Sequence, residues 1–598
     1  MLQRFNLLMI ATCGGLAVAS CGSPMSESTA LTTTLRIMET SDVHGQLLSY
    51  DYFAKAPKHG QGLAATAALI AQARTEQPLN ILVENGDLIQ GSALADYAVA
   101  DFPVAQQTHP IIAMLNALEY DVANLGNHEF NFGLEYLAQT YRDANFPVLS
   151  SNVRSTAATP VALTERLTDI AWLERSVAHP QQPNQSIPLR IAVVGVLPPQ
   201  IMQWDHHHLH DKIAVDDMLS AATAAVQRAQ QQGADLIVLA AHTGMPQDTS
   251  KPEDDEQTGW LLAGIKGVDA LLLGHQHKVF PGTDVYDLLP EVDTERGTVR
   301  GVPTVQPGVY GSHLGVIDLQ LQYQDGAWQV REHKVATRAV IETTAAVPEL
   351  EALVAPAHEA TLAFMERPIG RTQQPLSYQT ARWQASGAVQ FVQRAQLWQA
   401  QQLLAAAGLE PLPVLSAAAP FDAAFSADDS ATAVAAGTVT RGALGDLYRY
   451  PNTLDVVKVT GAQLKAWLEQ SAKGFVQHEQ GTDDCWAVVN PNFPHYNFDS
   501  ILGLNYHIDI RLPEGERVQA LTYQGQPVTD AQAFYVATNN YRANGGGDFP
   551  GLDGSQTVLR GADTLGDILL RYMDALPEKT YEEKLEKHWQ VIGCGGRI

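Results

Sequence analysis

A chain of 598 residues is too long for one ordinary core and predicts two domains behind an export segment. Its 45% apolar share, with 46 Gly and 32 Pro, excludes fibrous and disordered classes. A formal net charge of -27 argues against binding a nucleic-acid polymer, because neutralising a phosphate backbone takes clustered Lys and Arg. An acidic protein can still take a phosphorylated substrate where metal cations supply positive charge locally.

The first residues, MLQRFNLLMIATCGGLAVASCGSP, carry Arg4, a short apolar stretch and then small residues, the pattern of a secretory signal over 1–21. Val18-Ala19-Ser20-Cys21 has the form of a lipobox, which would lipidate Cys21 and make the protein a periplasmic or cell-envelope lipoprotein. Ordinary cleavage without lipid is the alternative. No other segment is long and apolar enough to span a bilayer. Cys485 and Cys594 remain in the body, where export would permit pairing, and the sequence leaves that open.

LRIMET (35–40) and NILVEN (80–85) read as strands around the helical stretch GLAATAALIAQAR. RIAVVGVL (190–197) reads as a buried strand, followed by a helix from an N-cap at Asp216 to a C-cap at Gly233. DLIVLAAH (235–242), ALLLGHQH (270–277) and LGVIDLQL (314–321) are further strands. This βαβ rhythm predicts an α/β domain over 34–342, with function where strands run out into loops. Residues 343–366 read as a helical connector. A second, α/β or α+β domain follows over 367–598, with strands at VLSAAAP (414–420), DVVKVT (455–460), YHIDIRL (506–512) and AFYVATN (533–539). A capping box, Thr460-Gly461-Ala462-Gln463, opens a helix whose apolar face is Leu464, Trp467 and Leu468, and another helix starts at Thr564.

Five segments end apolar strands with metal-ligand residues: Asp42-Val43-His44, Asp87, Asn127-His128-Glu129, His242 and His275-Gln276-His277. A single His after a strand is usually a satisfied polar group. Five such segments in this order point instead to a metal site. Carboxylate, imidazole and amide donors together suit Mn, Co, Zn or Mg. Two ions roughly 3.5–4 Å apart would clamp a phosphoryl group and supply a hydroxide near neutral pH.

The segments SDVHG, NGDLIQG, LGNHEFNFG, AAHTG and LLGHQHKVFPG resemble the calcineurin-like metallophosphoesterase family. The resemblance implies a β-sandwich flanked by helices, with two divalent ions at the strand ends. By motif position Asp42, His44 and His277 would hold one ion and Asn127, His242 and His275 the other, with Asp87 bridging. His128 matches the family's catalytic histidine. Many nucleotidases of this group place Asp three residues after it, where this chain has Asn131. An amide oxygen still accepts the ring N–H but favours a charged ring less than a carboxylate does.

The two-domain layout is similar to that of the exported nucleotidases, whose C-terminal domain carries the base pocket. LYRYPNTL (447–454) and NNYRANGGGDFPG (539–551) imply that Tyr450 and Tyr541 stack on the nucleobase, each contact worth ~1–3 kcal/mol. Asn452 would bond a base edge, and Gly545, Gly546, Gly547 and Asp548 would form a flexible turn close to the sugar. The bland reading makes both tyrosines core aromatics and the Gly run a surface loop.

METSDVHGQLLSYDY, NGDLIQGSALADY, PPQIMQWD, YNFDSILGLNYHIDI and TNNYRANGG resemble the bacterial bifunctional 2',3'-cyclic-nucleotide 2'-phosphodiesterase/3'-nucleotidases. The 5'-nucleotidase/UDP-sugar hydrolase branch carries an Arg that grips the phosphate side, whereas here Ser416-Ala417-Ala418-Ala419-Pro420-Phe421 has none. The resemblance implies opening of a 2',3'-cyclic phosphate, then phosphate release from the 3'-nucleotide, by a monomer whose domains move about 343–366. A 5'-nucleotidase and a catalytically degenerate nucleotide-binding lipoprotein are the rivals. The tract Asp205-His206-His207-His208-Leu209-His210 and the acidic run at 252–256 read as solvated loops. His313 lies near the active face by motif position, contacting substrate or merely packing there.

Overall fold

The computed structural model describes residues 31–179, 182–246, 256–282, 286, 289–450 and 452–595. The leader with Cys21, residues 252–255 of the acidic run, Pro451, and the side chains of His206 and His207 lie outside the described residues.

The first sheet receives β1 (Leu31–Thr40), β2 (Asn80–Glu84), β3 (Val122–Asn124), β4 (Val148–Leu149) and β5 (Leu167–Thr168). The chain then crosses to a second sheet through β6 (Ile170–His179), β7 (Gln182–Val196), β8 (Leu236–Ala241), β9 (Ala270–Leu273) and β10 (Val302–Pro307). It returns to the first with β11 (His313–Gln324) and β12 (Ala327–Ala339). The strand orders are β12-β11-β1-β2-β3-β4-β5 and β10-β9-β8-β7-β6, the latter extended at β10 by short strands. From β1 to β5 and from β7 to β10 neighbouring strands run parallel.

Alternation along these strands explains their apolar runs. Leu35, Ile37, Ile81 and Val83 face Val238, Ala240, Ala270 and Leu272 in a core between the sheets. The intervening Met38 and Leu82 turn outward beneath helices, as do Ile237, Leu239, Leu271 and Leu273 on the other sheet. Both faces of each sheet are therefore covered, so the strands read as nearly unbroken hydrophobic runs. Each fully buried Leu, Ile or Val contributes about 1.5–3 kcal/mol. Helices α1 (Leu63–Glu76), α2 (Ala93–Ala100), α3 (Pro110–Ala117) and α4 (Gly133–Thr140) cover the first sheet, and α5 (Met218–Gln231) covers the second.

Helix α5 opens one residue later than the sequence predicts. Asp217 caps it, accepting from Ser220 N at 2.8 Å. Asp216 instead pairs with Arg154, and its own N–H is taken by Asn152 O. The predicted connector forms α6 (Pro348–Met365), which buries Leu350, Val354, Ala357 and Phe364 in the core above the first sheet.

The C-terminal half centres on a five-stranded mixed sheet ordered Ser500–Leu502, Val414–Ala418, Ala533–Asn539, Thr453–Thr460 and Thr557–Thr564. Helices α7 (Gly387–Ala407) and α9 (Leu565–Ala575) pack on one side of it, and α8 (Gly461–Ser471) on the other. Helix α8 carries the full capping box of Thr460 and Gln463 and buries Leu464, Trp467 and Leu468. Cys485 and Cys594 form a disulfide across 109 residues of sequence. Among the described residues no helix is long and apolar enough to cross a membrane.

Candidate metal centre

All five predicted segments leave the C-terminal ends of parallel strands: Asp42 and His44 after β1, Asp87 after β2, Asn127 and His128 after β3, His242 after β8, His275 and His277 after β9. Five of these residues, Asp42, His44, Asp87, His275 and His277, have φ between 50° and 68°. Left-handed backbone at non-glycine residues is costly and collects where the surrounding structure imposes it for function. The loops brace one another: Asp42 N donates to Gly86 O, His44 N to Asp87 O, and His275 N to Asp42 Oδ1. Gly126 allows a close approach, since a Cβ there would stand 2.4 Å from Asp87 Oδ1 and 2.8 Å from His242 Cε1.

Asp42, His44 and His277 each bring one ligand atom within 4.8 Å of the others, and Asp87, His242 and His275 form a second such group. His242 Nε2 lies 3.0 Å from Asp87 Oδ2 and 3.2 Å from Asn127 Oδ1. His44 Nε2 and His277 Nε2 are 3.0 Å apart, and His277 Nε2 is 3.4 Å from Asp42 Oδ1. The Nδ1–H of His44 donates to Gln90 O, and that of His242 to Asn85 O, which leaves each Nε2 lone pair facing inward.

This set fits divalent cations. The 3.0 Å between His44 Nε2 and His277 Nε2 is bridged by a single proton, a place that a metal cation can take instead. Among the described residues the ion pairs of Asp42 and Asp87 are all with histidines, and no Lys or Arg neutralises these buried carboxylates. Burial would raise Asp87, but His242 and His128 outweigh it and hold the carboxyl well below its usual range. Burial would likewise lower His242, yet Asp87 pushes the ring up to about 10. His44 is driven down to about 3 by burial and by the nearby charge of His277. A pocket whose buried acids draw protons onto imidazoles is one in which a metal ion can replace those protons.

His128 sits beside this set, its Nε2 4.0 Å from Asp87 Oδ2 and its Nδ1–H donating to Asn131 Oδ1 at 2.6 Å. Behind Asn131 lies a residue that sequence reasoning placed in a solvated tract. Asp205 is buried and accepts from Asn131 Nδ2 at 3.0 and 3.1 Å. Rather than a solvated loop, the tract forms the helical turn His206–Leu209, which follows the turn Ile201–Trp204, and Leu209 and Ile201 anchor the two in the core. Two further residues have contacts that the sequence did not assign. Glu129 accepts from the backbone N–H groups of Asp87, Leu88 and Gly126, clasping two ligand loops together. Trp204 stacks on His275 at 6.1 Å between ring centres. Glu256, the described end of the acidic run, stands 3.5 Å from His275 Nε2.

Comparison with known proteins agrees with this geometry. Residues 35–279 match the calcineurin-like phosphoesterase model, and 368–554 match that of the 5'-nucleotidase C-terminal domain. The chain is 37% identical over 620 aligned residues to a 2',3'-cyclic-nucleotide 2'-phosphodiesterase/3'-nucleotidase of Haemophilus influenzae, covering 100% of this chain and 93% of that one. The chain belongs to the 2',3'-cyclic-nucleotide 2'-phosphodiesterase/3'-nucleotidase family. It is also 35% identical to the trifunctional nucleotide phosphoesterase of Bacillus subtilis, over 95% of its own length but only 40% of that protein's. A crystal structure of a 5'-nucleotidase-like protein from Staphylococcus aureus shares the fold, with a TM-score of 0.62 at 22% identity over 94% of this chain and 100% of that one.

Within this phosphodiesterase/nucleotidase chain, Tyr450 lines a cavity of about 320 Å³ with Phe421, Asp422, Asp446, Arg449 and His495. Tyr450 and Tyr541 are both exposed rather than core aromatics. Tyr541 does not line that cavity; its ring lies over Gly546, where a Cβ would meet it at 2.5 Å. The Gly545–Gly547 run is less free than its composition suggests, because Gly546 N donates to Tyr541 O and Gly546 O accepts from the buried Arg542. Asn452 Nδ2 donates to Asn540 Oδ1, and Asp548 is exposed with φ 56°. His313 is half-buried and bonded to Ser312 Oγ.

Proposed function

We propose that the protein opens 2',3'-cyclic nucleotides to 3'-nucleotides and then hydrolyses these to nucleoside and phosphate. The observation that carries this reading is the meeting of the Asp42, His44, His277 and Asp87, His242, His275 groups beside His128. They occur in a chain 37% identical from end to end to a relative so named. Asn127 would complete the second group, and Asp87 would be shared by both. Divalent ions held there, of the Mn, Co, Zn or Mg type, would polarise the phosphoryl oxygens and make water a competent nucleophile at neutral pH.

The chain's own groups supply the rest. Asp42 and Asp87 offset the added cationic charge in a buried setting. In the first stage the P–O2' bond breaks as a P–O bond to water's oxygen forms, and in the second the P–O3' bond breaks in the same way. His128, its Nδ1–H held by Asn131, gives a proton from Nε2 to each departing ribose oxygen and is left as the Nδ1–H tautomer, which takes up the proton that the attacking water releases. Tyr450 and Tyr541 hold the base, with Asn452 and Asp548 nearby. The segment Ser416–Phe421 offers no cation for a 5'-phosphate; its Ser416 Oγ donates to Gln396.

The proposed division is 34–342 for the metallophosphoesterase domain, 343–366 for the connector and 367–598 for the nucleotide-binding domain. Helix α6 packs on the first domain, so any pivot belongs at its end, near Glu366 and Arg367. Export with lipidation at Cys21 and a monomeric state complete the reading. The Cys485–Cys594 disulfide supports an oxidising compartment. Phosphate release from 3'-AMP and 5'-AMP, measured side by side, tests the reading: faster turnover of 5'-AMP overturns it.

A further inference from the structure

Asn131 stands between a histidine and a carboxylate. Its Oδ1 accepts from His128 Nδ1 at 2.6 Å, and its Nδ2 donates to both Asp205 oxygens at 3.0 and 3.1 Å. A carboxamide alone leaves the ring undefined, because its oxygen accepts, its nitrogen donates, and a half-turn about χ2 exchanges the two. With the amide nitrogen facing it, His128 would have to offer a lone pair at Nδ1 and carry its proton on Nε2. A carboxylate only accepts. Placed behind the amide, it forces the NH2 toward itself and the oxygen toward His128.

We infer that Asp205 is a positioning residue for the proposed phosphoesterase reaction, setting the amide of Asn131 and through it the tautomer and ring orientation of His128. The anchorage suits the task. Asp205 is 1% exposed, and the helical turns on either side are held by the buried Ile201 and Leu209. Burial raises its carboxyl to about 6, while Asn131 and His128 act in the opposite direction, so it is ionised at neutral pH. The Asn131–Asp205 pair thus does in two steps what one carboxylate against the ring would do. The turn Ile201–Trp204, just before Asp205, also packs on the C-terminal strand Thr557–Thr564.

This inference rests on His128 being the catalytic histidine, and the experiment separates the two claims. His128→Ala, Asp205→Asn and the exchange variant Asn131→Asp/Asp205→Asn are assayed on 3'-AMP, with metal content and melting temperature recorded. Asp205→Asn is expected to lower kcat by about ten- to a hundredfold with KM changed less than about twofold. The exchange variant puts the carboxylate on the ring and the amide behind it, keeping one hydrogen bond at each of the two links, and is expected to recover kcat to within about fivefold of the parent. Unchanged kcat in Asp205→Asn overturns the inference. A folded, metal-loaded exchange variant as slow as Asp205→Asn also overturns it, since a merely structural carboxylate would give that result. If Asp205→Asn does not fold, the exchange variant alone decides: folded and fast supports the inference, whereas slow or unfolded contradicts it. His128→Ala with the parent's kcat would remove the underlying reading instead.

Discussion

His242 Nε2 stands 3.0 Å from Asp87 Oδ2, with both side chains withdrawn from solvent and no Lys or Arg paired to the carboxylate among the described residues. A buried carboxylate so placed costs stability unless a cation compensates it. Asp87→Asn keeps the volume but removes the charge that both ligand groups face. Its kcat on 3'-AMP is expected to fall by on the order of a hundred- to a thousandfold, and bound metal by elemental analysis should fall with it. Full activity with full metal content would contradict the bridging role. The capture-protein alternative has no activity to lose.

Tyr450 sits at the wall of the C-terminal cavity, its ring 5.6 Å from that of Phe421. A stacked base is worth ~1–3 kcal/mol, so Tyr450→Ala should raise KM for 3'-AMP by roughly five- to a hundredfold. The value of kcat should change little, because the proposed contact is with the base and not with the reacting phosphorus. Steady-state kinetics decide this, and a kcat loss at constant KM would argue against a base-binding role.

His109 gives the N-terminal half an acid-sensitive anchor. It is buried, its Nδ1 accepts from Ile111 N, and its Nε2–H donates to Tyr136 Oη at 3.1 Å. Burial pushes its pKa down from 6.5 to about 3. The folded value lies below the unfolded one, so the stabilisation is complete above pH 6.5 and is lost as pH falls toward 3. The expected slope is about 1.4 kcal/mol per pH unit below the unfolded pKa. Asn keeps a capping oxygen at this position. The parent's lead over His109→Asn in melting temperature should therefore shrink between pH 7 and pH 5, and parallel curves would refute the assignment.

The Cys485–Cys594 bridge closes a loop of 109 residues in the C-terminal half. Removing it with Cys485→Ser/Cys594→Ser should cost about 2–4 kcal/mol. Reductant should lower the parent's melting temperature and leave the variant's unchanged. Equal sensitivity in both would contradict the pairing.

Much of this was legible in the sequence, for physical reasons. Strands buried on both faces write themselves as apolar runs, and each ligand lies just past the end of one, so β1, β2, β8 and β9 and the residues after them could be read together. What was not legible depends on distance along the chain. Asp205 acts on a residue 74 positions earlier, and its neighbours are four histidines, whose polarity suggested solvent rather than a buried anchor. Glu129 stood beside candidate ligands, but its partners Asp87 N and Leu88 N come from another loop. Asp216 and Asp217 are equally good caps by type, and only the bond from Asp216 N to Asn152 O chose between them. The Gly545–Gly547 run looked flexible because composition does not reveal that Tyr541 and Arg542 fill the space around it.

The proposed reaction is a two-stage hydrolysis at the ribose 3' edge by a metal-loaded site. A time course with 2',3'-cyclic AMP, resolved chromatographically, tests it most directly. 3'-AMP should rise and then decay to adenosine with stoichiometric phosphate, a chelator should stop both stages, and Mn, Co, Zn or Mg should restore them. Accumulation of 2'-AMP, or an inert cyclic substrate alongside rapid 5'-AMP hydrolysis by the same preparation, would contradict it.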